Sequence, residues 1–163
     1  MSRKIINVGV SWLLLLTGMG WGQAASEQAP VPIQLSADSV ALDEGRSVYR
    51  GQVDLRQGDL QILADQITVQ YDAQQQPHRL VALGKPVRFR HKSSSGWIQA
   101  QAQRADYAVH RAQLTLTGEV VLRQAGDVMK SDRMIYDWRR QVLKAGSAAD
   151  GQQRVQMTLQ VTE

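Results

Sequence analysis

The sequence predicts an all-β fold on three observations. Apolar and polar residues alternate wherever the chain has a period, turn-forming clusters interrupt that alternation at short intervals, and one pattern returns after 33 and then 34 residues. Alternation with period two means strands with one buried and one wet face, because successive side chains leave a sheet on opposite sides. Val53-Asp54-Leu55, Leu60-Gln61-Ile62, Ile67 to Tyr71 and Val87-Arg88-Phe89 read this way, as do Leu114-Thr115-Leu116, Val120-Val121-Leu122 and Val155 to Val161. Between them stand Asp43-Glu44-Gly45, Gln57-Gly58-Asp59, Asp72 to Pro77, Ser93 to Gly96, Ala125-Gly126-Asp127 and Asp150-Gly151, all good turn formers. Only Gln99 to Ala112 tolerates helix by its Ala and Gln content, and Tyr107, Val109 and the turn signals on both sides favour strand there too.

Composition sets the bounds. A chain of 163 residues with 43% hydrophobic residues makes about one domain with a real core, not a disordered chain. It has no Cys, and His78, His91 and His110 are widely spaced without an HxH or HxxxH pair, so neither a disulfide nor a zinc site is expected, and no cofactor is implied.

Arg3 and Lys4 precede an apolar run from Ile5 to Leu16, and Gly18 to Ala25 then brings small residues. This is the layout of a secretory signal peptide: the run is short of the ~20 residues a bilayer requires, and Asn7, Gly9 and Ser11 interrupt it. The expected organisation is a cleaved leader over residues 1–25 and a single domain over 26–163 in the periplasm, with an uncleaved anchor as the alternative. Removing Arg3 and Lys4 reduces 19 basic residues to 17 against 15 acidic ones, a net charge of +2. The remaining charges form no phosphate-tracking stripe, which argues against a nucleic-acid partner.

The internal repeat has two interleaved parts. Small-residue-Asp pairs stand at Ala37-Asp38, Ala64-Asp65, Ala105-Asp106 and Ser131-Asp132, three of them followed by Leu42-Asp43, Tyr71-Asp72 or Tyr136-Asp137. Gly51-Gln52-Val53, Gly84-Lys85-Pro86-Val87 and Gly118-Glu119-Val120 alternate with them. Gly51 lies 14 residues before Asp65 and Gly118 lies 14 before Asp132, whereas Gly84 to Asp106 is 22, an excess assigned to the Ser93–Gly96 hairpin. Such a repeat describes stacked β-units, each too small to bury its own apolar face. The Gly suits a bend or bulge and the Asp accepts hydrogen bonds from turn amides, so these Asp residues are read as structural rather than catalytic.

These residues, in this order, resemble the OstA-like family of periplasmic lipopolysaccharide-transport bridge proteins. The match runs through Ser36-Ala37-Asp38, Tyr49 to Gly58, Leu60 to Asp65, Gly84 to Phe89, Ala105-Asp106-Tyr107, Leu116 to Val120 and Ser131-Asp132 to Asp137, about Ile33 to Val142 in all. The resemblance implies a β-jelly roll shaped as a twisted, V-sectioned trough, open at both ends and joined head to tail. It implies lipopolysaccharide as cargo, with its acyl chains in the trough, and an inner-membrane complex and outer-membrane translocon as partners through strand edges. No chemistry is implied.

By the resemblance, Ile33, Leu35, Phe89 and Tyr107 line the groove. Alternation adds Leu55, Ile62, Ile67, Val69, Val87, Leu116, Val120 and Leu122 on apolar faces, and ordinary core packing is the alternative for each. Lys85, Arg88, Arg90, His91 and Lys92 form the densest basic run; Arg88 and Arg90 should point away from Phe89, as a solvated face. Trp97 and Trp138 either anchor an interface or fill the ends of the core.

The resemblance fades over Ala145 to Glu163, and His110-Arg111 stands where an apolar-Asp pair is expected. Three other readings compete. An enzyme would need two carboxylates across a cleft, such as Asp65 with Asp106, but the chain carries no GxSxG, HExxH or Cys nucleophile. Another component of the same transport machine would keep an anchor or continue into a barrel, which Gly22 to Ala25 and the end at Glu163 oppose. A self-associating structural β-protein without lipid is separated only by a binding test.

Overall fold

The computed structural model describes residues 31–146 and 155–160. The leader and the Asp150-Gly151 turn lie outside the described residues. Ten strands form one antiparallel sheet: β1 Gln34–Ser36, β2 Ser39–Asp43, β3 Arg46–Gln57, β4 Leu60–Tyr71, β5 Pro77–Ser93, β6 Gly96–Ala108, β7 Gln113–Gln124, β8 Asp127–Asp137, β9 Val142–Gly146 and β10 Gln156–Thr158. The six long strands β3 to β8 pair in chain order through tight turns. β1 and β2 share β3 as partner at one edge, and β9 and β10 share β8 at the other. Gly96–Ala108 is a strand, as its aromatic and β-branched residues predict.

A line of irregularities crosses the whole sheet. Register shifts fall between Arg50 and Val53, Leu63 and Gln66, Leu83 and Val87, Gln101 and Arg104, and Thr117 and Val120, and the break between β1 and β2 lies opposite the first of them. We call this line the seam. β3 and β7 cross it with two successive left-handed residues, Gly51-Gln52 (φ 79° and 45°) and Gly118-Glu119 (φ 83° and 49°), and β5 crosses it with Gly84-Lys85-Pro86. At Gly51 the glycine is also needed for space: a Cβ there would lie 2.2 Å from Oδ2 of Asp38, whose N–H donates to the Gly51 carbonyl at 3.0 Å. β4, β6 and β8 instead slip their alternation. Buried Ala64, Ala102 and Ser131 are followed by buried Ile67, Ala105 and Met134, three positions on, so the same face stays inward on both sides of the bend.

The seam corrects one detail of the repeat. The residue of β6 that stands at the seam, facing Gly118, is Gln103 and not Asp106. Gly84 to Gln103 is 19 residues, five more than in the other two hairpins: one extra residue lies in the β5 corner and two in each arm of a longer β5–β6 hairpin. Asp65 does accept the predicted main-chain hydrogen bond, from Lys85 N–H at 3.1 Å. Asp106 sits within β6 and is held by the Arg79 guanidinium, with Arg104 at 3.7 Å, so its role is an ion pair and not a turn.

The seam divides the sheet into a tip flank, ending at the hairpin tips 58–59, 94–95 and 125–126, and a turn flank, ending at turns 44–45, 72–76, 109–112 and 138–141. The inner faces of the two flanks pack on each other. Phe89 of the tip flank meets Tyr136 of the turn flank edge-on, with ring centroids 6.1 Å apart, and the Tyr107 hydroxyl donates to Oε1 of Gln57 at 2.6 Å. One apolar cluster fills the space between them. The fold is thus the all-β jelly-roll trough, made by folding a single sheet along its own bulges. The last strand departs from expectation: among its described residues only Gln156–Thr158 pairs, Val155, Met157 and Leu159 are 43%, 53% and 60% exposed because β10 is an edge strand paired with β8, and Val161 lies outside the described residues.

Candidate functional site

The folded interior gathers the predicted apolar residues. Leu55, Ile62, Ile67, Val69, Val87, Phe89, Tyr107, Leu116, Val120 and Leu122 are all at most 5% exposed and belong to one cluster, while Ile33 and Leu35 are partly buried against it. Their convergence follows from alternation plus the slip at each corner; without the slip every strand would turn its apolar set outward on one side of the seam.

The interior also holds Tyr136 and His91, which the sequence reading did not place there, and Trp138, one of the two Trp residues it offered for the ends of the core. Tyr136 lies against Phe89, the His91 ring lies 5.8 Å from Tyr136 and 6.2 Å from Trp138, and Trp138 packs 4.6 Å from Tyr107. Trp138 therefore closes the end of the core. Continuing the alternation of Val87 and Phe89 by one step would have placed His91 inward, out of the basic run. Arg88 and Arg90 do point away, and Arg90 covers the half-exposed Trp97 ring at 4.8 Å.

Burial tunes the polar groups of this interior. It raises the pKa of both Tyr107 and Tyr136, so their hydroxyls stay protonated and serve as hydrogen-bond partners: Tyr107 to Gln57, Tyr136 to Nδ1 of His91 at 3.3 Å. Burial also lowers the pKa of His91, against a weaker opposing pull from Asp59, which keeps the ring neutral at neutral pH. Ser47 and Ser131 are the only polar residues classed as buried among the described residues, so no carboxylate is enclosed there. The carboxylates weighed for an enzyme are not brought together either. Asp65 lines a cavity of about 840 Å³ on the outside of the seam, and Asp106 lines a different one of about 590 Å³. Among the described residues no group of three or more potential metal ligands occurs.

Two sheet edges are exposed. Every residue of β2 is exposed, with Val40 at 52% and Leu42 at 78%, and its outer edge has no partner strand among the described residues. β9 and β10 end the sheet on the other side.

The described residues thus form a single antiparallel sheet folded along its seam around one largely apolar interior, the architecture of a jelly-roll trough. Residues 34–142 match the family model of the LptA/(LptD N-terminal domain) LPS transport protein, and the chain belongs to that family. It is 28% identical over 125 residues to the lipopolysaccharide export system protein LptH of Pseudomonas aeruginosa, covering 74% of this chain and 71% of that one. It is 29% identical over 120 residues to LptA of Escherichia coli K12, covering 71% and 65%. The crystal structure of LptH, described as the LptA-homologous periplasmic component of the lipopolysaccharide transport device, superposes with a TM-score of 0.73 at 26% identity, covering 80% of this chain and 96% of that one.

Proposed function

We propose that this chain transports lipopolysaccharide across the periplasm, holding the acyl chains between the inner faces of its two flanks. The observation that carries the reading is the interior itself: ten residues at most 5% exposed, drawn from every long strand except β8, all facing one another across a fold line. Each Å² of apolar surface buried there contributes about 25 cal/mol, so acyl chains need no specific hydrogen bond to be retained. Because these side chains pack together, cargo enters by parting the flanks. The family and the relatives' roles in lipopolysaccharide export support the same reading.

The edges at β2 and β9, without an outer partner strand among the described residues, supply a means of assembly. β-augmentation of one copy's edge by the next, or by strands of an inner-membrane complex and an outer-membrane translocon, extends the trough in one direction, since the two edges differ. The leader over residues 1–25 delivers the domain, and the chain carries out no catalysis: its relatives are transport proteins.

Site-specific photo-crosslinking to lipopolysaccharide tests this, with the probe at Phe89 and a control at Arg123 on the outer face. An adduct at Phe89 and none at Arg123 is expected. A folded, self-associating protein without an adduct at Phe89 would overturn the reading in favour of a structural β-protein.

A further inference from the structure

The two walls of the interior are tied to each other by side-chain hydrogen bonds. The Tyr107 hydroxyl of the turn flank donates to Oε1 of Gln57 on the tip flank at 2.6 Å, and the Tyr136 hydroxyl of the turn flank pairs with Nδ1 of His91 on the tip flank at 3.3 Å. A third tie, from Ser94 Oγ to Oε1 of Gln141, is exposed, so water can take the place of either partner. The first two are enclosed. Tyr107 and Tyr136 are each 2% exposed, and neither hydroxyl has another partner among the described residues.

The sheet sets both tyrosines at one level. Tyr107 and Tyr136 are cross-strand partners of the same residue, buried Leu114, so they leave the turn flank in one row, two strand spacings or about 10 Å apart. The next inward-facing row toward the seam, Ala105, Leu116 and Met134, is apolar throughout.

Cargo that parts the flanks breaks both enclosed bonds and puts hydrocarbon in their place. A plain alkyl chain then leaves a phenol hydroxyl on one wall and an amide oxygen or ring nitrogen on the other, desolvated and unpaired, the costly outcome for a buried polar group. An ester carbonyl between the walls serves the tyrosine alone, because it accepts and cannot donate. A hydroxyl accepts from Tyr107 and donates to Gln57, and because it does both it suits either tautomer of His91 opposite Tyr136.

We propose that this tier is a specificity site, in which Tyr107 with Gln57 and Tyr136 with His91 bind the hydroxyl of a hydroxylated acyl chain and so select such chains over plain ones. The proposal rests on the lipid reading above and deepens it by naming the class of chain. Tyr71 is the internal control: its hydroxyl pairs with Ser47 Oγ at 2.9 Å within the turn flank, and parting the flanks leaves that bond intact.

The test uses N-acyl glucosamines of one chain length, either plain or with a single hydroxyl near the base, at the middle or near the tip of the chain, each displacing fluorescent lipopolysaccharide from the protein. At one hydroxyl position or more, binding should be about tenfold tighter than for the plain chain, the difference expected when one or two buried hydrogen bonds are made rather than lost. Tyr107→Phe/Tyr136→Phe should erase that preference and Tyr71→Phe should keep it. Gln57→Leu/His91→Leu removes the opposite half of the tier and should erase it too, which decides the matter if the tyrosine variant does not fold. Wild-type protein in which no hydroxyl position gains over the plain chain, whether all displace equally or none does, overturns the specificity site and leaves the transport reading standing. So does a preference that survives in the double variants or is lost equally in Tyr71→Phe. Failure of the wild-type protein to take up the fluorescent lipopolysaccharide at all fells the transport reading itself.

Discussion

The two flanks of the sheet are built from the same strands and yet make unlike walls. The tip flank presents aliphatic side chains, the only Phe, Gln57 and the His91 ring to the interior, and its outer face carries Arg88, Arg90 and Arg123. The turn flank holds all four tyrosines, Tyr49, Tyr71, Tyr107 and Tyr136, and each is at least half-buried on the inner side. Three have a hydrogen-bond partner: Ser47 for Tyr71, Gln57 for Tyr107 and His91 for Tyr136. Each wall therefore carries polar groups, the tyrosine hydroxyls on one and Gln57 and His91 on the other, and they meet across an otherwise apolar interior.

That contrast can be broken or sharpened in order of expected effect. The flanks meet at their rims where Ser94 Oγ donates to Oε1 of Gln141 at 2.7 Å. Because the chain has no Cys, Ser94→Cys/Gln141→Cys joined by a short bifunctional thiol reagent fastens the walls at one point. Capture of lipid by a photo-probe at Tyr136 should be lost almost completely after joining, and recovered when a cleavable reagent is cut.

Truncating the tip-flank wall comes next. Phe89→Ala removes the ring that Tyr136 abuts and should cost about 3–5 kcal/mol by chemical denaturation, against within about 0.5 kcal/mol for Arg88→Ala one residue away on the outer face. Removing a polar handle from the other wall should matter less. Tyr107→Phe leaves the Gln57 carbonyl oxygen without its donor and should cost about 1 kcal/mol in the same measurement.

The smallest effect is on pH dependence. His91 is held neutral by burial, with its pKa below the ordinary 6.5, so the unfolded chain takes up a proton before the folded one. Stability from this residue is complete above about pH 6.5 and declines as the pH falls below it. His91→Gln should flatten that part of the stability profile, measured by denaturation at neutral and mildly acidic pH; an unchanged profile would assign the slope to other groups.

Much of this was legible in the chain. Period-two alternation located the strands because each keeps one face inside, and the Gly-X-Val triplets marked the corners because successive left-handed residues favour glycine. The pairing of Gly84 was misread because residue type was followed instead of register: Gln103 occupies a place where neighbouring units carry Asp. The final strand alternates as well as any other, yet alternation cannot say whether a neighbour will cover it, and Met157 stays exposed. Turns 109–112 and 138–141 are joined by a hydrogen bond from Trp138 N–H to the Ala112 carbonyl, between residues far apart in sequence, which no local pattern reveals.

The seam has a consequence for size. Every hairpin contains its own corner, so the cross-section is set within each 33- or 34-residue unit and does not depend on how many units the chain contains. Strands lie about 4.8 Å apart, so one further unit would lengthen the folded sheet by roughly 10 Å without altering its cross-section. Span and calibre are thereby independent variables: duplication adjusts the first, and side chains beside the corners adjust the second.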